Sequence, residues 1–155
     1  MAVIGRNRCR WKAFTRCLLF CIVLSLAGRY LRAADASSEA RGQVAAVARA
    51  LSSGDAAEAM THFAKTCPNY DTVRRYFEGL GAFQVDNQLT FTDEEDADNS
   101  VTLTITWDIT LSDFGTENSR RRTGEIHVKV AAADSKWRIV EFSPLDIFNP
   151  QLRRS

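Results

Sequence analysis

The sequence predicts an α+β fold in which three helices precede a curved antiparallel sheet and cover one of its faces. The first half carries apolar residues at helical spacing, with two helix boundaries close together in SSGDAAE. The second half alternates apolar and polar residues, most clearly in VTLTITWDITL. Because the helical and strand patterns are segregated along the chain, they favour helices packed on an antiparallel sheet.

The first 36 residues are predicted to be a signal peptide that lies outside this fold. Basic residues from Arg6 to Arg16 precede an uncharged apolar run at 17–27. This run is about eleven residues long, whereas a helix that spans a membrane needs roughly 20. Small residues at 34–36 indicate cleavage before Ser37, and cleavage after Ala33 is the alternative.

The expected destination is the periplasm or the outside of a bacterial cell. Arg29 and Arg32 follow the apolar run, which is unusual for the end of a signal peptide. They leave open an uncleaved form that residues 17–27 would tether to the inner membrane.

The residues from Ser37 to Ser155 are expected to form one acidic domain, with a C-terminal tail that starts near residue 143. Seven of the 20 basic residues and one of the 19 acidic residues precede Ser37, which leaves 13 basic and 18 acidic residues. The resulting net charge near −5 argues against nucleic acid as a partner, because phosphates require a basic face.

Cys67 is the one cysteine of this domain, since the other three lie in the predicted signal peptide. No intrachain disulfide is therefore expected, although the predicted compartment is oxidising. Cys67 could be a nucleophile, but the pattern favours a small buried residue at the end of a helix.

The boundary between the first two helices is marked twice. The first helix is predicted over Ser38–Ser52, and Gly54 stops it because glycine enters a left-handed C-terminal cap without penalty. Asp55 then caps the second helix, with Glu58 completing a capping box. The second helix is expected to run from Ala56 to about Lys65.

The third helix is predicted over Thr72–Leu80, with Asp71 as its cap and glycines at its end. Strands follow it, and the clearest of them presents six apolar residues on one face and threonines on the other. The apolar tail Pro144–Pro150 is expected to pack back on the domain. The strands are predicted at Phe83–Phe91, with a break at Asn87, and at Ser100–Leu111, Thr123–Val130 and Trp137–Phe142.

This order resembles the nuclear transport factor two-like superfamily, in its SnoaL-like branch. The resemblance rests on ALSSGDAAEAMTHFA, on VTLTITWDITL and on the closing strand KWRIVEF. It implies a cone-shaped α+β barrel with a pocket between the helices and the concave sheet, often paired through the sheet. Members include isomerases, dehydratases, epoxide hydrolases, binders of small molecules and noncatalytic domains, so the fold leaves the function open.

An enzyme of this kind needs an acid or a base that faces the pocket. His62 could be a general base, a ligand hydrogen-bonder or a helix-surface residue. Glu141 is expected to point with Trp137 and Ile139, and it is the one inward carboxylate if that face is concave. Neither is assigned as catalytic. The residues expected to line a pocket are His62, Tyr70, Tyr76, Phe77, Ile105, Trp107 and Trp137.

The remaining charged clusters are expected to lie on the surface. Asp93–Asp98 lacks the glycine and the final glutamate of a calcium hand, so it is predicted to be an acidic hairpin tip. Arg120–Arg122 is expected to be an exposed edge or a contact with the acidic loop of a partner. Asp108 and His127 are expected on the outer face. We expect neither a metal nor a cofactor.

The leading expectation is an exported noncatalytic domain that binds a small apolar ligand or forms a dimeric interaction module. The threonine-rich outer face of the long strand is the expected dimer surface. The alternative is a lyase or isomerase that acts on a small, largely apolar molecule, with His62 or Glu141 as the base and Tyr70 or Tyr76 as the hydrogen-bond donor.

Overall fold

The computed structural model describes residues 35–133 and 136–151, so the predicted signal sequence up to residue 34 lies outside the described residues. Three helices are followed by a four-stranded antiparallel sheet of order β1-β2-β3-β4. No helix in the described part of the chain is long and apolar enough to cross a membrane. The elements are α1 (35–52), α2 (Ala56–Thr61), α3 (Tyr70–Leu80), β1 (Phe83–Ala97), β2 (Ser100–Asp113), β3 (Ser119–Ala133), β4 (Lys136–Ser143) and a short 3₁₀ helix (Asp146–Phe148).

The predicted α1–α2 junction is confirmed, except that the amide of Asp55 bonds the carbonyl of Ala50 and not the side chain of Glu58 as a capping box requires. Gly54 has a φ of 72°, and the amide of Asp55 donates to the carbonyl of Ala50 at 2.9 Å, as in a Schellman motif. The Asp55 carboxylate then accepts a hydrogen bond from the amide of Glu58 at 2.8 Å. Three residues, 53–55, therefore separate α1 from α2.

Helix α2 is shorter than predicted, because the residues after it pair with β4. The amide of Ile139 donates to the carbonyl of His62, and the amide of Ala64 donates to the carbonyl of Ile139, both at 2.9 Å. This parallel bridge ends the helix at Thr61. It also covers part of the outer edge of β4.

Helix α3 begins at Tyr70, two residues before its predicted start at Thr72. Its N-cap is Asn69 in the left-handed conformation, without a side-chain capping bond. Asp71 instead lies in the first turn, where it pairs with Arg74 at 3.2 Å. The prediction of Asp71 as the cap is therefore wrong, although its charge still suits the helix N-terminus.

Strand β2 confirms the predicted alternation. Its six apolar side chains, from Val101 to Leu111, are fully buried, and the threonines between them lie on the other face at intermediate exposure. β2 pairs with β1 on one side and with β3 on the other. It is therefore one of the two central strands, with one face toward the helices and the other face outward.

Strand β1 runs through the acidic stretch that was expected to be a hairpin tip. A bulge between Phe91 and Asp93 shifts the register, and pairing continues to Ala97. After the bulge Glu94 faces α1, where the Arg41 guanidinium bonds it at 2.6 Å. Hydrogen bonds from Ser37 and Arg41 lower the pKa of Glu94, although burial acts in the opposite direction.

Two further predictions about side-chain direction are wrong. Strand β3 begins at Ser119, and its alternation places Arg122 on the buried face with 7% exposure, not at an exposed edge. In β4 a bulge lets Lys129 pair with Glu141 while Val130 pairs with Ile139. Because the bulge reverses the phase of the strand, Ile139 is buried and Glu141 is exposed.

Candidate functional site

Aromatic rings fill the space between the helices and the inner face of the sheet. Phe148 of the 3₁₀ helix lies against Trp107 at 5.1 Å, Phe142 at 5.3 Å and Phe77 at 5.7 Å between ring centroids. Phe63 joins them, 5.4 Å from Phe142. Most pairs meet edge to face, the favourable arrangement for aromatic quadrupoles, and all five side chains are at most 2% exposed.

Asn87 gives this apolar interior a polar anchor. Its Oδ1 accepts a hydrogen bond from Nε1 of Trp107 at 2.9 Å, while its Nδ2 donates to the carbonyl of Ala48 and to Oγ of Ser52, both at 3.0 Å. The amide therefore satisfies the buried indole and ties β1 to α1. The break in the alternation at this position was the sequence signal for it.

Arg122 holds the C-terminal segment, residues 144–151, against the inner face of the sheet. Its Nη1 donates to the carbonyl of Ile147 at 3.0 Å and to that of Asn149 at 2.6 Å. A Cβ added at Gly124 would lie 2.7 Å from Ile147. The glycine therefore provides the room for this segment to approach the sheet, and sequence reasoning missed the role of the arginine.

The C-terminal segment also contacts the helices. A Cβ added at Gly79 in α3 would lie 2.6 Å from Pro150. Together with the Phe148 ring between Phe77 and Trp107, this contact shows that the segment bridges the helices and the sheet. The expectation that the tail packs back is therefore confirmed, and the tail is part of the core.

His62 lies at the C-terminal end of α2, partly buried. Its Nδ1 is 2.7 Å from Oε1 of Gln43 in α1, and its Nε2 is 3.7 Å from a carboxylate oxygen of Glu58. Burial lowers the pKa of His62, and Arg138 and Arg49 lower it further, whereas Glu58 opposes them. This arrangement favours a neutral imidazole linking two helices.

The predicted site residues do not all come together. Phe77, Ile105 and Trp107 lie in the buried interior, and Tyr70, Tyr76 and Trp137 are partly buried against it. Glu141 is exposed, so it does not share the inner side with Ile139. Glu141 therefore loses its geometric basis as an alternative base to His62. A ligand role for the other predicted pocket residues stays a prediction.

Cys67 is buried, as expected for a packing residue. It is 4% exposed and its thiol faces the carbonyl of Pro68 at 3.4 Å. Burial raises the pKa of the thiol to about 11, with a further contribution from the Glu141 charge. A thiol in this state is a poor nucleophile near neutral pH.

The outer face of the sheet is polar along β2. Asp108 lies at its centre, where its carboxylate accepts a hydrogen bond from the hydroxyl of Thr123 and pairs with Arg121 at 3.2 Å. These contacts, the Thr123 bond first, lower the pKa of Asp108. His127 lies on the same face, with Nδ1 3.3 Å from the hydroxyl of Thr104.

Comparison with known proteins identifies the fold. No protein-family model matches the chain, and no curated protein sequence matches it. An NTF2-like protein with a cystatin-like fold from Novosphingobium aromaticivorans has a TM-score of 0.62 at 17% identity, over 76% of this chain and 84% of that one. A protein from the same organism, provisionally named a scytalone dehydratase, has a TM-score of 0.59 at 13% identity, over 77% and 85%.

A third similar structure is Aln2 from a Streptomyces species, with a TM-score of 0.58 at 10% identity, over 68% of this chain and 86% of that one. The described helices and the antiparallel sheet are thus those of an α+β cone of the nuclear transport factor two-like type. At these identities the likeness concerns the fold and leaves the activity open.

Proposed function

We propose that this chain, whose fold is of the nuclear transport factor two-like type, is an exported noncatalytic domain that pairs with a second copy of itself through the outer face of its sheet. The observation that carries the proposal is the filled interior. Phe148 occupies the inner side of the sheet among Phe77, Trp107 and Phe142. With that side occupied, the outer face is the extended surface left for recognition.

The composition of the outer face supports pairing. The β2 side chains on this face are threonines around one aspartate, and they are already half-buried by their neighbours within one copy. Small β-branched polar side chains form a flat surface that another sheet can cover without burying an unpaired charge. They also keep the domain soluble when the two copies separate.

A second candidate function is a lyase or isomerase with His62 as its base. A specific feature favours it: the lowered pKa of His62 keeps the imidazole neutral near pH 7, as a general base requires. One of the similar structures is provisionally named a dehydratase. Because aromatic side chains fill the interior, a small apolar ligand could enter only if the interior opened. This holds whether the domain is a binder or an enzyme.

Native mass spectrometry of the protein from its own host tests these proposals together. We expect a dimer at tens of micromolar. The mass of each subunit is expected to correspond to a chain that begins at Ser37, without an added small molecule. A monomer at that concentration would overturn the pairing proposal. An added mass released on denaturation would favour a ligand pocket instead, and loss of that mass in His62→Ala would support the second candidate. A retained signal sequence would replace export by a membrane tether.

A further inference from the structure

The first turn of α1 meets β1 at a single carboxylate, that of Glu94. This side chain is 19% exposed, and its Oε2 accepts hydrogen bonds from Nε and Nη2 of Arg41 at 2.9 and 2.6 Å. The hydroxyl of Ser37 donates to the same carboxylate. Ser37 and Arg41 are one helical turn apart, so they share the side of α1 that faces β1. Arg41 also lies over the Phe91 ring, 5.4 Å from its centroid.

Ser37 is also the residue at which the processed chain is predicted to begin. The compact unit that carries the helices and the sheet starts at Ala36, so a cut before Ser37 falls at the border of the fold. Such a cut would make Ser37 the first residue of α1. The alternative cut, after Ala33, would leave residues 34–36 in front of it.

Cleavage before Ser37 would change the chemistry at this position. The backbone amide of Ser37 would become an α-amino group, which is mostly protonated at pH 7 because its ordinary pKa is about 7.7–8.0. In serine the α-nitrogen and the hydroxyl are attached to neighbouring carbons, so a carboxylate that bonds the hydroxyl is within reach of the ammonium. A positive charge at the start of a helix is unfavourable, and a nearby carboxylate offsets that cost.

We infer that Glu94 is the acceptor site for the α-ammonium group that signal cleavage creates at Ser37. The new terminus is held on β1 by an ion pair that the precursor does not contain, and the first turn of α1 is fixed with it. This inference rests on the export part of the proposed function and goes beyond it, since it gives cleavage a structural effect on the fold.

The groups around Glu94 are compatible with a second cation. An ionised carboxylate has about four acceptor positions, and both Arg41 bonds end on one oxygen. Although burial alone would raise the pKa of Glu94, the bonds from Ser37 and Arg41 lower it, so the carboxylate is ionised near neutral pH. Glu39, a carboxylate in the same part of α1, is exposed and accepts a hydrogen bond from Gln43 instead.

The pKa of the terminal amino group tests this site in the protein purified from its own host. N-terminal sequencing is expected to read Ser37 first. Reductive methylation with ¹³C-formaldehyde then labels the α-amino group, and NMR titration is expected to give a pKa above about 8. Because a partly exposed ion pair is a modest interaction, Glu94→Gln is expected to lower this pKa by about half a unit, a roughly threefold change in the acid dissociation constant.

Two further variants control the measurement. Glu95→Gln removes the neighbouring carboxylate of β1, which is exposed, and it is expected to change the pKa of the amino group far less than Glu94→Gln does. Ser37→Ala removes the hydroxyl but keeps the amino group and a small residue at the cut. It is expected to keep the raised pKa, which shows that the ammonium itself is bound.

The outcomes separate this inference from the proposed function. A chain that begins at Ser37 and has the same amino-group pKa with and without Glu94→Gln would overturn the inference and leave export in place. A chain that begins at Ala34 would also overturn the inference alone, whereas a retained signal sequence would overturn both it and export. A monomer with the expected pKa shift would overturn the pairing and keep the terminal site.

Discussion

At the scale of single residues, the polar groups in the interior serve packing. Asn87 satisfies the indole of Trp107, and Arg122 satisfies two carbonyl groups of the C-terminal segment. A buried donor or acceptor without a partner costs on the order of 1–3 kcal/mol, so each contact stabilises the arrangement around it. These residues hold elements in place.

His62 gives a residue-scale prediction, since burial lowers its pKa below the usual 6.5. As the pH falls through 6.5, the unfolded chain takes up a proton before the folded chain does. The contribution of His62 to the free energy of unfolding is therefore fully present above pH 6.5 and is lost as the pH falls through the folded pKa. NMR titration of the imidazole is expected to show a midpoint below 6.5.

Spectra of His62→Gln and His127→Gln assign the resonances of the two histidines. His62→Gln is also expected to remove the corresponding part of the pH dependence of stability, measured by urea unfolding between pH 5 and 8, the range where histidine titrates. A midpoint for His62 at or above 6.5 would contradict the described burial and its effect.

At the scale of elements, the C-terminal segment is part of the core, where it contacts both the helices and the sheet. Its Phe148 ring is fully buried, and Ile147 and Pro150 approach the chain where glycines leave room. Cis geometry at Ser143–Pro144 accompanies the turn from β4 into this segment. The segment is therefore expected to fold and unfold with the domain.

Truncation of Phe148 measures that role. Phe148→Ala is expected to lower the free energy of unfolding by about 3–5 kcal/mol, the usual cost of removing a buried phenylalanine ring. Phe114→Ala is the matched control, because this ring is 68% exposed at the β2–β3 turn. The control is expected to change stability by about 0.5 kcal/mol or less. If urea unfolding shows the same small change in the free energy of unfolding for Phe148→Ala and Phe114→Ala, the C-terminal segment is not packed in the core.

At the scale of the whole molecule, pairing should couple stability to concentration. A ligand that binds the folded state alone raises its stability by mass action, and in the proposed dimer the second copy is that ligand. A tenfold increase in protein concentration is expected to raise Tm by roughly 2–4 °C. Differential scanning calorimetry at several concentrations measures this. If Tm stays the same at protein concentrations below and above the dimer dissociation constant, the folded chains do not pair.

The proposed pairing is consistent with the polar, threonine-rich outer face of the sheet. The described face offers no large apolar patch, since the one large exposed apolar side chain among the described residues is Phe114 at the hairpin tip. The proposed dimer is therefore expected to be reversible.

Local patterns in the sequence determined the fold class and the best elements. The Gly54–Asp55 junction was predictable because a positive φ and a side-chain cap depend on neighbouring residues alone. The direction of every side chain in β2 was predictable because a central strand with one buried face must alternate. These patterns were sufficient to suggest the nuclear transport factor two-like fold, and they located the polar outer face on which the proposed pairing depends.

Tertiary structure alone decided the details that set the candidate site. The bulges near Thr92 and in β4 reverse the inward and outward phase, and a bulge depends on pairing with a distant strand. That is why Glu141 is outside and Glu94 faces α1. The sequence around Arg122 predicts a surface residue. In the structure the carbonyl groups of Ile147 and Asn149, distant in the chain, accept hydrogen bonds from its guanidinium. The sequence by itself determined local geometry and periodicity, whereas contacts between distant segments decided which polar groups lie inside.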